Sequence, residues 1–480
     1  MVEEIREMNK LDQSCMPLID HLKNFSSKKP VSFHVPGHKH GDIFPEAAKE
    51  LFDSVLPVDV TEIAGMDDLH APSKIIAEAE ELAKDYFKSD HTFFLVGGST
   101  VGNLAMIMTA CNPGDEVIVQ RNCHKSIING LELAGAKPIF IAPEWRVDLQ
   151  RYAAPSYDTV KQAILRFPNA KALILTYPDY FGMVFDIQSM IEFAHFNRIP
   201  VFVDEAHGVH FSTSEKLPQS ALQLGADVVV QSAHKMAPAM TMAAYLHIGT
   251  SRVEKNQVAY YLQMLQSSSP SYPIMASLDA ARFYLAELSK EKIQGVLNSV
   301  EEVRNIFSQA SFWEWIPSDD PLKLTFHVKH GYKINEIETM FENHGIYPEL
   351  TTENQFLFIH GLAPFVQQDY LKKTIQLVEE QLKKSMKHAT IEGAKLFTNP
   401  IEELALSYQE MKHITSLLVP FAQSEGEIAA EAVIPYPPGI PVILKGERIT
   451  EAHITKIQLL IQQGVTIQQR EEGIRIYRKA

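Results

Sequence analysis

The chain has 480 residues, of which 45% are hydrophobic and 21% charged, with a formal net charge of −15. That length exceeds one ordinary core, so two or three globular domains are expected. The acidic balance disfavours a nucleic-acid partner, which would select a basic face, and no apolar window approaches the roughly 20 residues of a membrane helix.

In chain order, the start MVEEIREMNK lacks the basic-then-apolar plan of a signal peptide. A cytoplasmic location with no membrane partner is therefore expected, and residues 1–30 read as a short helical lead-in. Cys15, Cys111 and Cys123 are scattered and odd in number, which fits free thiols in a reducing compartment. Cys123 and His124 do not read as a thiol-protease pair, because neighbours on an extended segment point to opposite faces. A loop-rich segment from Val31 to about Pro72 contains FHVPGHKHGDIFP and GMDDLHAP. His34 and His38 are a weak metal pair, since no helix spans Pro36 and Gly37 to give an i,i+4 spacing, and no metal is expected. With Ser73 as N-cap, SKIIAEAEELAKDYFK then has the three-four apolar spacing of a helix.

Seven strands follow: TFFLV from Thr92, EVIVQ from Glu116, PIFIA from Pro138, ALILT from Ala172, PVFVD from Pro200, DVVVQ from Asp227 and AAYLHI from Ala243. Continuous apolar runs mean strands buried on both faces, and spacings of about 20 to 30 residues leave room for crossover helices. The expected class is α/β, a mostly parallel seven-stranded sheet between helices. The last strand follows a connection of only about a dozen residues, so it is expected to run antiparallel. Beyond SSSPSYPIMASLDAARFYLAELSK, the runs LKLTFHVKH, INEIETMFENHG and NQFLFIHG read as a smaller α+β domain, and the tail from Pro400 as a C-terminal domain. The expected boundaries are 1–30 for the lead-in, 31–275 for the large domain, 276–390 for the small one and 391–480 for the last, the polar stretch HATIEGAKLFTNP marking the final junction.

Ligands of open parallel sheets bind outside the carboxyl ends of the strands. Three polar groups fall at such ends: Ser99 and Thr100 in FFLVGGSTVGN, Asp204 in PVFVDEAHGVH and Lys235 in DVVVQSAHKMAP. A strand, two glycines, two hydroxyls and a helix start suit a phosphate, or equally a tight turn with an N-cap, and the lysine of a GxxxxGK[ST] nucleotide loop is missing. A phosphate cup, a carboxylate and an amine are what pyridoxal phosphate requires, for its phosphate, its pyridine nitrogen and its aldehyde.

The motifs FHVPGHKHG, MDDLHAPSKII, RNCHKSI, VDEAHGVH, SAHK, SPSYPIMASLD and YPPGIPVILKGE, in this order, resemble those of the Orn/Lys/Arg decarboxylase family of fold-type I pyridoxal-phosphate enzymes, over nearly the whole chain. The resemblance implies that Lys235 forms the Schiff base, that Asp204 partners the pyridinium nitrogen and that His124 stacks on the ring. It implies further that Ala206 packs the other ring face and that Ser99, Thr100, Ser232 and His234 bind phosphate. The implied reaction is decarboxylation of a basic L-amino acid, with Lys235 or His124 returning the proton to the substrate carbon. Asp67 and Asp68 are expected either to hold their loop or to attract the cationic substrate, and Glu431 to pair with the substrate's distal cation.

Two departures qualify the resemblance: Met242 stands where the family often has Gln after Thr241, and the chain looks like the short form, without an N-terminal receiver-like domain. The expected assembly is at least a homodimer with shared active sites, to which Ser268 or Ser269 would contribute. An aminotransferase or other lyase on the same fold is the enzymatic alternative. A non-enzymatic, cofactor-binding regulatory protein is the other, against which the retention of Lys235, Asp204 and His124 argues.

Overall fold

A computed structural model describes residues 11–384, 396–397, 399–435, 439–462, 467 and 473–478. All seven expected strands form, as β1 (His91–Leu95), β2 (Glu116–Gln120), β3 (Lys137–Ile141), β4 (Leu173–Thr176), β5 (Val201–Asp204), β6 (Val228–Gln231) and β7 (Ala244–Ile248). Nearly every residue in them is buried, as their unbroken apolar runs require. The chain divides into two compact units, the first made of Met1–Thr109 with Pro200–Ser289, the second of Ala110–Ile199 with Lys290–Ala480.

In the first unit the strand order is β1-β7-β6-β5. β6 runs parallel to β5, whereas β7 is antiparallel to both β6 and β1. β1, β5 and β6 therefore point the same way, and β7 is the reversed strand that its short connection predicts. The helix Ile75–Phe87 buries Ile76, Ala79, Leu82, Ala83 and Phe87 along one stripe and ends at Lys88, whose φ of 61° is a left-handed C-cap. Ser73 is not its cap, contrary to expectation. The helix starts two residues later, after Lys74, and the side chain that meets its first N–H groups belongs to Asp67, whose Oδ2 accepts from Lys74 N at 2.8 Å and Ile76 N at 3.0 Å.

In the second unit β2 lies between β4 and β3 and is parallel to both. Ile401–Glu403 adds an antiparallel edge strand on β3, beyond the seven expected. Residues 313–359 form a four-stranded antiparallel sheet, whose core includes the rings of Phe307, Trp313, Phe326, Phe341 and Phe356. In the tail, Ser416–Val419 pairs with Ile474–Tyr477, and Ala429, Val433, Ile443, Ile457 and Ile474 form a buried cluster. The expected junction in HATIEGAKLFTNP lies largely outside the described residues, as do Pro437 and Pro438 of the proline-rich motif. Among the described residues no helix is long and apolar enough to cross a membrane.

Candidate active site

Because β1, β5 and β6 share one direction, the residues at their carboxyl ends collect at one edge of the first unit. Asp204, the last residue of β5, is buried. Its Oδ2 accepts from Asn103 Nδ2 at 2.9 Å and its Oδ1 from Ala206 N at 3.2 Å. These two donors fix the carboxylate plane and offset part of the cost of burying it. Ala206 itself is buried.

Beyond β1, the helix Gly98–Ala110 begins directly at the glycines, with Ser99 and Thr100 in its first turn. Gly98 has a φ of 76°, which a side chain would oppose. Its N–H donates to Met242 O at 2.8 Å, and Met242 is itself left-handed, with φ 78°. The position that departs from the family pattern is thus a strained backbone site whose carbonyl anchors the start of the helix that carries Ser99 and Thr100. Beyond β6, Ser232 Oγ donates to Ser99 Oγ at 2.8 Å, joining the two expected phosphate-binding segments.

Lys235 lies in the single helical turn Ala233–Met236 between β6 and β7. Its Nζ is 3.2 Å from His207 Nε2. His234 donates to Ala243 O from its ring Nδ1 at 3.0 Å and from its backbone N at 3.3 Å, so the turn is tied to the start of β7.

Asp67 is buried, and Ser73, Lys74, Ile76 and Asp68 all donate backbone N–H to its carboxylate. Burial works against its charge, but these donors hold its carboxyl below the usual carboxylate range. Its own backbone is bound on both sides by Tyr272 OH, which donates to Asp67 O at 2.5 Å and accepts from Asp67 N at 2.9 Å. The MDDLH and SPSYP motifs are brought together in this way. Asp68 is exposed, its Oδ1 accepting from His70 N, and Ser268 and Ser269 are exposed as well.

His124 belongs to the second unit. It is the N-cap of the helix Lys125–Ala134, its Nδ1 accepting from Ser126 N at 3.3 Å and lying 2.9 Å from Ser126 Oγ. Nearby, the buried Arg121 donates to Pro441 O, Val442 O and Glu447 Oε2, and Lys125 N to Gly439 O. RNCHKSI and the end of YPPGIPVILKGE therefore pack as one piece. Glu431, in the same unit, accepts from Arg475 N at 2.8 Å.

Two residues of the site were not anticipated from the sequence. Asn103 follows Ser99 by one helical turn, so both sit on one helix face, and His207 lies inside the quoted VDEAHGVH. Cavities of about 410 Å³, walled by Phe307, Leu324, Phe358 and Tyr370, and about 300 Å³, beside Glu144, Asp179 and Asp186, lie in the second unit and include none of the expected site residues. Among the described residues no group of three or more His, Cys, Asp or Glu side chains could hold a metal ion.

Residues 16–328 match the family described as Orn/Lys/Arg decarboxylase, major domain, and residues 385–469 match its C-terminal domain. The chain is 43% identical over 460 residues to "Uncharacterized protein YaaO" of Bacillus subtilis (strain 168), covering 94% of this chain and 95% of that one. It is 35% identical over 477 residues to an arginine decarboxylase of the same organism, covering 96% and 97%. Among solved structures, the lysine decarboxylase LdcF of Francisella novicida superposes with a TM-score of 0.80 at 20% identity, over 97% of this chain and 81% of that one.

Proposed function

Because the chain belongs to the Orn/Lys/Arg decarboxylase family, we propose that it removes the α-carboxylate of a basic L-amino acid, arginine first among arginine, lysine and ornithine, and releases CO2 and the corresponding amine. The observation that carries this reading is the gathering of Asp204, the Ser99 and Ser232 pair, and Lys235 at one strand edge. Arginine leads because relatives named arginine decarboxylase are 33 to 35% identical to this chain, whereas those named lysine decarboxylase are 20 to 25% identical.

The donor set fits pyridoxal phosphate. Ser99, Thr100, Ser232 and His234 suit the phosphate, Asp204 the ring nitrogen, Ala206 the ring face and Lys235 the aldehyde. When bound, that cofactor supplies an electron sink for the pair released as the bond between Cα and the carboxylate breaks. Asp204, held by Asn103 and Ala206, would offer its carboxylate to the ring nitrogen without having to reorganise during the reaction. Lys235 Nζ, beside His207 Nε2, is placed to hold a proton and return it to the substrate carbon. The family resemblance assigns His124 to ring stacking and the distal-cation role to Glu431. A homodimer with shared sites, a cytoplasmic location and a place in polyamine formation complete the reading.

The test is a product assay. The purified protein, loaded with pyridoxal phosphate, is incubated separately with L-arginine, L-lysine and L-ornithine, and CO2 and amine are quantified by mass spectrometry. Agmatine, with CO2 in equal amount, is the expected product. Amine from none of the three would overturn the assignment, and consumption of amino acid only when a keto acid is added would replace it with transamination.

A further inference from the structure

Five polar side chains run through the interior of the first unit, where its strands otherwise bury apolar residues. Glu205, Gln231, His247 and Thr92 are fully buried, and Ser89 nearly so. Buried polar groups are retained without large cost only when each is hydrogen-bonded, and here the donors and acceptors can be assigned in one direction. Glu205 accepts at both oxygens, from Ala221 N at 2.6 Å and from Gln231 Nε2 at 2.5 Å. With its nitrogen committed, Gln231 must accept at Oε1 from His247 Nε2, 3.0 Å away. His247 Nδ1 then accepts from the Thr92 hydroxyl at 2.8 Å, and Thr92 from the Ser89 hydroxyl at 2.8 Å. Burial keeps the imidazole neutral by depressing its pKa to about 3, so the run is not broken by a second proton. Burial also lifts the Glu205 carboxyl, to about 8; the direction assigned here is that of the ionised carboxylate, and a proton on Oε2 turns the Gln231 amide over and reverses the run.

The acceptor end of this run lies against the expected cofactor groups. Glu205 follows Asp204, Gln231 precedes Ser232, and Glu205 N donates to Val230 O at 2.9 Å. Gly208 leaves the space the carboxylate needs, since a Cβ there would stand 2.6 Å from Glu205 Cγ.

We propose that Glu205 and Gln231 are positioning residues, whose hydrogen bond locks the ends of β5 and β6 together so that Asp204 and Ser232 present themselves to one cofactor molecule. This rests on the reading above that Asp204 and Ser232 hold pyridoxal phosphate.

A polarity swap tests it. In Gln231→Glu two buried carboxyl groups face each other, which repel when both are ionised. In Glu205→Gln an amide meets an amide unless the run reverses as far as Ser89, a milder lesion. In the double variant, Gln at 205 accepts from Ala221 N and donates to Glu at 231, which also accepts from His247, so every partner is matched again. The readouts are the dissociation constant of pyridoxal phosphate from the apo protein, followed by the visible absorbance of its Schiff base with Lys235, and the melting temperature of the apo protein. Gln231→Glu is expected to weaken cofactor binding about tenfold or more, the scale of one lost buried hydrogen bond, and the double variant to recover to within about threefold of the parent. Parental affinity in Gln231→Glu overturns the proposal. So does a double variant that regains its melting temperature but not its cofactor affinity, because the pair would then be structural only. If Gln231→Glu is unfolded without cofactor, Gln231→Met, which removes only the amide, takes its place with the same expected loss. A protein that shows the swap effect on cofactor binding yet decarboxylates no basic amino acid retains the positioning pair and loses the decarboxylase reading.

Discussion

Lys235 Nζ and His207 Nε2 lie 3.2 Å apart, so the amine expected to hold the cofactor shares a hydrogen bond with an imidazole three residues beyond Asp204. An ammonium can only donate, so whenever the lysine is protonated the ring nitrogen is the acceptor in this contact. Replacing it by His207→Gln is expected to move the pH midpoint of the visible Schiff-base absorbance and to lower kcat about 10- to 100-fold, toward the lower end for a group that assists proton transfer. A pH titration followed spectroscopically, beside steady-state rates, checks both. An unchanged spectrum and rate would remove His207 from the site.

Asp204→Asn keeps the size of the side chain and a carbonyl that can still accept from Asn103, but loses the charge. Turnover should fall about 100- to 1000-fold, the scale of removing one preorganised electrostatic group. Rates are to be measured at saturating pyridoxal phosphate, so that weaker cofactor binding is not mistaken for slower chemistry. Activity within tenfold of the parent would show that another group supplies the charge.

Gly98 and Gly102 separate backbone strain from steric overlap on one helix. No atom stands within 4 Å of a Cβ built at Gly98, so Gly98→Ala carries only the strain of its φ of 76°, about 1 kcal/mol. At Gly102 a Cβ would meet Leu95 Cδ1 and Val230 Cγ1, both at 2.8 Å, and overpacking there is expected to cost about 1 to 3 kcal/mol. Thermal unfolding of the apo proteins should rank Gly102→Ala below Gly98→Ala. Cofactor affinity should rank them the other way if the segment opened by Gly98 binds the phosphate as proposed.

Asp279 and Arg282 form a fully buried pair with 2.6 Å between Oδ1 and Nη2. Asp279 also accepts from Leu18 N, and Arg282 donates to Gln13 O and Cys15 O, so the pair pins the segment ahead of the helix Pro17–Ser27. Arg282→Met strands a buried carboxylate and should destabilise by about 3 to 5 kcal/mol, whereas Asp279→Leu with Arg282→Met should cost less than that single change. Urea unfolding of the apo proteins measures both.

The folded-state pKa of His247, depressed by burial and then by His91 to about 3, lies far below its ordinary value of 6.5. Below pH 6.5 the unfolded chain takes up a proton that the folded chain refuses, so stability present above 6.5 is lost as the pH falls from 6.5 toward 3. His247→Asn removes this linkage. Unfolding free energy measured between pH 6.5 and 4.5 should fall less steeply in the variant, by up to about 1.4 kcal/mol per pH unit; parallel slopes would mean that the imidazole is protonated in the folded state.

The strands were legible because each is an unbroken apolar run, and the reversal of β7 because a dozen residues cannot carry a parallel crossover. Ile401–Glu403 was not, since a short edge strand of one apolar and two acidic residues has no period to recognise. Lys235, Asp204, Ser99 and Thr100 stood out because each ends or closely follows a strand, whereas Ser232 came from the family resemblance alone. Asn103 did not, because its partner Asp204 is 101 positions away and nothing local marks the pairing. Ser73 was misread for the same reason: the sequence offers a hydroxyl beside the helix start, whereas the carboxylate that binds there comes from a loop folded back by Tyr272. Gln231 and His247 were visible as polar residues in apolar runs, but only the register of β6 against β7 brings them together.

The first unit is assembled from two stretches of chain separated by residues 110–199, and this orders events during synthesis. Ser99 is made early, but Asp204, Ser232 and Lys235 emerge only after the intervening segment, roughly 5 to 20 s later at typical translation speeds. Until then β1 lacks β7, the strand it pairs with, and the expected cofactor-binding groups are not together. Loading with pyridoxal phosphate is therefore a late step on the ribosome or one that follows release, and its appearance in a nascent-chain series should coincide with the emergence of the segment ending at Ser289, serving as a clock for completion of this unit.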